Sequence, residues 1–258
     1  VVGYLRGYDT SPATVREMAE AGCVVLNFCW DDKLDFPGRI QGGRPTSPAA
    51  IAAEVDLNLT NAPQSVIRYM VHGGLAMFWP EAASPDLYHP RDVPFDYDVT
   101  FVGQKYGRRE LFINDLRKTG IDVHTSGRHW PGGCVSQSEM VELYSRSRIN
   151  LGFSGIRHSK KLMCLKGRDF EVPMSGGLYL TRHNPELDLV YNVGTEIVTY
   201  TDARDCAATI RDLLSHPEKA DAIRRAGRER ALRDHTWGVR FEEAFVTAGV
   251  LQPGSSAN

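Results

Sequence analysis

The feature that most constrains this chain is its rhythm. Short apolar runs alternate with helical stretches along nearly the whole sequence. "VVGYL" reads as a strand, and "SPATVREMAEAG" as a helix with Ser11 as N-cap, Pro12 at its first position and Gly22 past its end. "CVVLNFCW" is a continuous apolar run, suited to a strand covered on both faces. A polar loop rich in Gly and Pro follows from Asp31 to Ser47. Then come a short helix behind Pro48, the strand "VDLNLT", a helix from Pro63 to His72 and the strand "LAMFW". Further on, "DVTFVG", "IDVHT", "RINLGFS", "LYLT" and "TEIVTY" read as strands. Between them lie a helix in "GRRELFINDLRKTG" stopped by Gly120 and another in "SQSEMVELYSRS" opened by a Ser136–Glu139 capping box. Helices over 203–215 and 217–234 close the pattern. Strands alternating with helices predict an α/β fold of parallel sheets with helices on both faces.

The rhythm is interrupted once. "PEAASPDLYHPRDVPFDY", residues 80 to 97, holds four prolines and no periodicity, and reads as a linker. It divides the chain into a Rossmann-like lobe over 1–90, a second Rossmann-like lobe over 98–240, and a tail over 241–258. In open α/β sheets ligands sit beyond the carboxyl ends of the strands, so chemistry is sought in the strand-to-helix loops. With 30 basic against 32 acidic residues and a formal net charge of −2, the chain lacks the charge of a general nucleic-acid or anionic-membrane binder. No apolar run reaches the length of a membrane span. Five cysteines, scattered and without a C-x-x-C pair, argue against a disulfide framework or a zinc site and for reduced thiols in the cytoplasm. The chain begins in strand-like sequence, without an initiator Met or a signal-peptide pattern, and further residues are expected upstream.

Three stretches carry candidate chemistry. In "FVGQKYGRREL" a strand runs into Gly103 and Gly107, and a helix opens with Arg108 and Arg109. Glycines let backbone approach a ligand, a helix N-terminus offers free N–H groups to phosphate, and arginine adds bidentate donors. An ordinary βα turn with solvated arginines fits the same residues. The loop "GIRHSKKLMCLKGR" gathers Arg157, His158, Lys160, Lys161, Lys166 and Arg168, a local excess of positive charge suited to a diphosphate or to a solvated loop. In "KGRDFEVPMSGGLYLT", Pro173 belongs in a first helical turn, which places the helix start near Arg168 or Asp169. Glu171 then falls in that turn, where a carboxylate can accept from the vicinal hydroxyls of a ribose or simply complement the helix dipole. Asp31 and Asp32 after a buried strand fit a general base, loop solvation or an N-cap.

Taken in order, "DVTFVGQKYGRRELFINDL", "YSRSRINLGFS", "KGRDFEVPMSGGLYLT" and "AGRERALRDHTWGVR" resemble glycosyltransferases of the CgeB spore-maturation type, with a group 1-type C-terminal domain. The resemblance runs from about residue 98 to 240. It implies a GT-B fold of two Rossmann-like lobes with parallel sheets, the N-terminal, acceptor-side lobe incomplete. It also implies a hexosyltransferase-type enzyme that uses a nucleoside diphosphate sugar, a UDP-sugar in first preference, and needs neither metal nor cofactor. The acceptor it leaves open: glycan, protein or small molecule. Position by position, the resemblance places Glu171 on the donor ribose and Lys166 and Arg168 on the diphosphate. Gly103, Tyr106, Arg108 and Arg109 border the same diphosphate, and Ser175, Gly176 and Gly177 belong to the nucleotide-sugar site, Gly176 closing the Glu171 helix. Met163 stands where many retaining relatives carry a second Glu, so the motif assigns no stereochemical outcome. An epimerase or hydrolase of sugar nucleotides on this scaffold, or a non-catalytic nucleotide-sugar or partner-binding module, are the alternatives.

Overall fold

A computed structural model of the chain describes residues 2–5, 10–41, 44–156, 159, 161–252 and 254. The chain forms two compact units: residues 1–80 together with 238–258, and residues 81–237.

In the first unit, β1 (Val2–Leu5), β2 (Val24–Cys29), β5 (Leu57–Thr60) and β6 (Ala76–Phe78) form a four-stranded sheet in that order. All pairs in it are parallel. Every residue of Leu57–Thr60 is buried, as expected of a strand covered on both faces. The intervening helices are α1 (Pro12–Glu20), α3 (Pro48–Ile51) and α4 (Pro63–Val71). Ser11 caps α1 as its spelling predicts, its side chain accepting from the Thr14 N–H. The stretch expected as loop, Asp31 to Ser47, holds more structure: a single-turn helix α2 (Asp32–Asp35) and an antiparallel pair, β3 (Arg39–Gln41) with β4 (Arg44–Thr46). Three-residue strands are too short to leave a periodic signal.

In the second unit β7 (Tyr97–Val102), β8 (His124–Ser126), β9 (Ser147–Leu151), β10 (Tyr179–Arg182) and β11 (Val198–Tyr200) form one parallel sheet in the order β11-β10-β9-β7-β8. Its helices are α5 (Arg109–Lys118), α6 (Gln137–Ser145), α7 (Gly167–Met174), α8 (Ala203–Ser215) and α9 (Pro217–Asp234). The core gathers Val99, Phe101, Ile113, Leu116, Ile149, Leu151, Leu178 and Leu180, with Ile210 and Leu213 of α8. The capping box of α6 forms, with Glu139 N donating to Ser136 Oγ at 3.2 Å and Ser136 N to Glu139 Oε2 at 2.7 Å.

Three expectations need correction. Pro173 lies inside α7, in its last turn, and the helix begins earlier, at Gly167. Proline's missing N–H leaves one carbonyl of the first turn without its helical donor, a cost a short helix meets once. Residues 81–96 are not a free linker. Ala83 N donates to His235 O at 3.0 Å and Arg91 N to Ser145 Oγ at 3.0 Å, which fastens the segment to the second unit. The span expected as a tail carries a further helix, α10 (Trp237–Thr247). Within the first unit, Phe241 of α10 meets the fully buried Trp79 edge-on at 5.4 Å, and Trp79 Nε1 donates to Arg240 O at 2.6 Å. Among the described residues no helix is long and apolar enough to cross a membrane.

Candidate active site

Strand order fixes where to look. The chain leaves β7 for β8 on one side and places β9, β10 and β11 on the other, so the direction of winding reverses between β7 and β9. At such a switch point the loops after the two strands diverge and leave a crevice at their carboxyl ends. Here those loops are 103–108 and 152–166, two of the three stretches singled out in the sequence.

The first loop is held firmly. Gly103 N donates to Ser126 O at 2.8 Å, Trp130 Nε1 donates to Gly103 O at 2.8 Å, and Lys105 N donates to Arg128 O at 2.9 Å. Gly103 has to be glycine. A Cβ there would stand 2.8 Å from Arg168 Nη1 and 3.0 Å from the Phe101 ring. The loop ends in the first turn of α5, where Arg109 is buried and Arg108 exposed.

Arg109 and Arg168 converge on the Phe101 ring, each guanidinium carbon 5.4 Å from its centroid. Arg109 also stacks on Tyr106 at 4.8 Å and donates from Nη1 to Gln104 O at 2.8 Å. Burial, then the neighbouring Arg168 charge, pull the Arg109 guanidinium down to about 10, so it remains a cation at neutral pH. Neither arginine has a carboxylate at ion-pair distance among the described residues, and the Arg168 Nε–H is buried without a partner. Asp169 and Glu171 act on Arg168 from farther away, whereas Arg109 has the like charge of Arg168 beside it, so a buried and a half-buried cation stand together in a place suited to a further anion.

Helix α7 supplies the acids. Asp169 is fully buried; its Oδ1 accepts from Tyr179 Oη at 2.6 Å and its Oδ2 from Lys166 N at 2.7 Å, which fixes the start of the helix. Burial holds Asp169 up at about 6 against those two donors. Gly152 makes room for this contact: a Cβ there would lie 2.2 Å from the Tyr179 hydroxyl. Glu171 is one turn beyond Arg168 on the same helix face. Its Oε1 accepts from Tyr88 Oη at 3.1 Å, and burial raises its pKa. Lys166 Nζ donates to Cys164 Sγ at 2.8 Å.

The structure thus brings Gly103, Tyr106, Arg109, Lys166, Arg168 and Glu171 into one neighbourhood. Ser175, Gly176 and Gly177 lie at the other end of α7. There Ser175 Oγ donates to Glu171 O at 2.8 Å, and the Gly176 and Gly177 N–H groups close the helix on Pro173 O and Val172 O. Arg157, His158 and Lys160 lie outside the described residues; Lys161 is exposed. Asp31 and Asp32 belong to the first unit. Asp32 is completely buried, accepts from Ser65 Oγ at 2.9 Å and is pushed up by burial, whereas Asp31 is exposed at the start of α2. Two residues of the neighbourhood, Glu81 and Tyr88, come from the segment read as a linker. A cavity of about 380 Å³ opens beside Arg109, lined by Tyr106, Phe112, Phe153, Arg182 and Tyr200 among others.

Comparison with known proteins decides the family. Residues 108–245, more than half of the chain, match the sequence profile of the glycosyl transferase-like family. The chain belongs to this family. The match takes in Arg108, Arg109, Lys166, Arg168 and Glu171 and begins just after Gly103 and Tyr106. A search of curated proteins found no match. Among solved structures, sucrose-phosphate synthase from Thermosynechococcus elongatus is similar at 12% identity and a TM-score of 0.68, over 96% of this chain and 73% of that one. Anabaena HepE, solved with UDP, is similar at 10% identity and a TM-score of 0.68, over 93% and 76%. The pneumococcal O-GlcNAc transferase GtfA, solved with UDP and GlcNAc, is similar at 10% identity and a TM-score of 0.65, over 97% and 57%. These likenesses show the GT-B fold. The protein is a glycosyltransferase with two α/β units, each built on a parallel sheet.

Proposed function

We propose that this glycosyltransferase takes its sugar from a nucleoside diphosphate sugar, UDP-linked in first preference, bound at the switch point between β7 and β9. The observation that carries the reading is the pair Arg109 and Arg168, both on the Phe101 ring and neither in an ion pair with a carboxylate among the described residues. A diphosphate adds counter-charge at short range, beyond what Asp169 and Glu171 give Arg168. Lys166 adds a third cation, and Glu171 presents a carboxylate for the ribose hydroxyls. The UDP bound in the Anabaena and pneumococcal neighbours supports the choice of base.

In the reaction the bond from the sugar's anomeric carbon to the diphosphate oxygen breaks, and its electron pair leaves with the diphosphate. An acceptor hydroxyl bonds to the anomeric carbon and gives up its proton. Fixed cations stabilise the charge that grows on the leaving group, and this chemistry needs no metal. Of the two acids after β2, Asp32 is completely buried, which leaves exposed Asp31 as our candidate general base. We place the protein in the CgeB-type subgroup and in the cytoplasm, where its five free cysteines stay reduced. The acceptor is a glycan, a protein or a small molecule.

A thermal-shift panel with UDP, GDP, ADP and TDP, with and without Mg²⁺, tests the donor site. A ligand at about 100 times its Kd adds about 2.7 kcal/mol to the folded state. A base-selective shift that persists without Mg²⁺ and is lost in Glu171→Ala is expected; equal shifts in wild type and variant would remove Glu171 from the site.

A further inference from the structure

Glu81 is the acid that the donor-site reading does not use. It lies beside the first turn of α7, half-buried, facing Glu171 across Gly167. A Cβ on Gly167 would stand 2.9 Å from Glu81 Oε2 and 3.0 Å from Glu171 Oε1, so the two carboxyl groups flank one point. Their surroundings differ. Glu171 accepts a hydrogen bond from Tyr88, with the buried Tyr144 hydroxyl and the Arg168 charge close by. Glu81 accepts none among the described residues. Asp169 and Glu171 press on it with negative charge, and Lys166 and Arg168 oppose them only in part.

We propose that Glu81 is a positioning residue for Glu171: the pair holds one proton, Glu81 carries it, and Glu171 is thereby kept as the carboxylate that receives the donor ribose. Donors favour the charged form of the group they bond, which assigns the negative charge to Glu171. Two carboxylates this close do not both ionise readily, which assigns the proton to its undonated neighbour. Burial, with the charges of Asp169 and Glu171, holds Glu81 at about 8, in keeping with that assignment. When Glu81 loses its proton the site gains a negative charge beside Lys166 and Arg168, and a diphosphate is repelled. The groups that face Glu81 are Asp169, Glu171, Lys166 and Arg168, all from α7 and its N-cap, with Tyr88, Tyr144 and Tyr179 around the two α7 acids. Glu81→Gln removes the titration of Glu81 and leaves all of these groups in place.

The inference rests on the donor site proposed above, and the test separates the two. The Kd of UDP, or of whichever nucleoside diphosphate gives the largest thermal shift, is measured by calorimetry at pH 7 and pH 9 for wild type, Glu81→Gln and Glu81→Asp. Ionisation of the ligand is common to all three proteins and cancels in the comparison. Wild type is expected to bind about tenfold more weakly at pH 9 than at pH 7, the loss set by one proton leaving a group near pH 8. Glu81→Gln, which cannot ionise, is expected to bring that ratio close to one, and Glu81→Asp to keep a pH-dependent loss. A packing role alone would shift affinity equally at both pH values. The same ratio in wild type and Glu81→Gln would overturn the role of Glu81 and leave the donor site standing; no binding by either protein would overturn both.

Discussion

Removing one oxygen atom, in Tyr179→Phe, tests whether the α7 acids are organised as described. The ring is buried on β10 and stays; only the hydroxyl that donates to Asp169 Oδ1 at 2.6 Å is lost. Asp169 keeps the Lys166 N–H at 2.7 Å as its other donor. A hydrogen bond to a charged group is worth about 1.5–3 kcal/mol, and a neutral one about 1 kcal/mol. The loss therefore depends on the charge of Asp169. Its folded pKa, about 6, is above the ordinary carboxylate range because burial outweighs its two donors. The native state thus holds the proton more tightly than the unfolded chain, and this group's contribution falls as pH rises from about 4 to 6. Tyr179 opposes that rise by favouring the carboxylate, so without it the fall continues to higher pH. In urea unfolding followed by fluorescence, the variant is expected to lose about 2 kcal/mol at pH 8 and about 1 kcal/mol at pH 5. An equal loss at both pH values would refute a charged Asp169–Tyr179 contact. No loss at either would refute the contact altogether.

Other consequences follow from the same geometry. Arg168→Ala is expected to weaken nucleoside diphosphate binding roughly tenfold or more in calorimetry, because it removes one of the two guanidinium groups on the Phe101 ring, and to lower the thermal midpoint, because Asp169 and Glu171 lose its charge. Gly103→Ala pushes a Cβ into the Arg168 guanidinium and is expected to lower both affinity and the thermal midpoint, at a cost of about 1–3 kcal/mol. Ser136→Ala removes the α6 cap, remote from the donor loops, and should cost about 1 kcal/mol of stability in urea without changing nucleotide affinity. Removing residues 237–258 strips α10 from Trp79, which should move its fluorescence maximum to the red; an unshifted spectrum would contradict the packing of Phe241 on that ring.

Much of the fold was legible because parallel strands covered on both faces spell near-continuous apolar runs and helix ends spell their caps. The Ser11 cap, the Ser136–Glu139 box and the bounds of α8 and α9 follow from those signals alone. The missed elements lack them. The β3–β4 pair is three residues a side, and α10 straddles the bound set at residue 240, which separates Trp237 from Phe241, Ala244 and Phe245. The site was legible where one loop carries it, as with Gly103 and Arg109. It was illegible where distant segments meet. Nothing in "PEAASPDLYHP" marks Glu81 or Tyr88, because an aperiodic loop takes its place from tertiary contacts such as Ala83 N to His235 O. Phe101 as the shared face of two arginines is equally invisible, since its spelling is that of any core strand.

The most direct measurement is a calorimetric comparison of two ligands on two proteins. The ligands are the nucleoside diphosphate that the thermal panel selects and its 2′,3′-dideoxy analogue; the proteins are wild type and Glu171→Ala. If Glu171 holds the ribose while Arg109 and Arg168 hold the diphosphate, wild type should prefer the hydroxylated ligand about tenfold or more, and the variant should bind both equally at the weaker level. A preference of the same size in both proteins would mean that the ribose lies elsewhere, and the donor site would have to be moved from the start of α7.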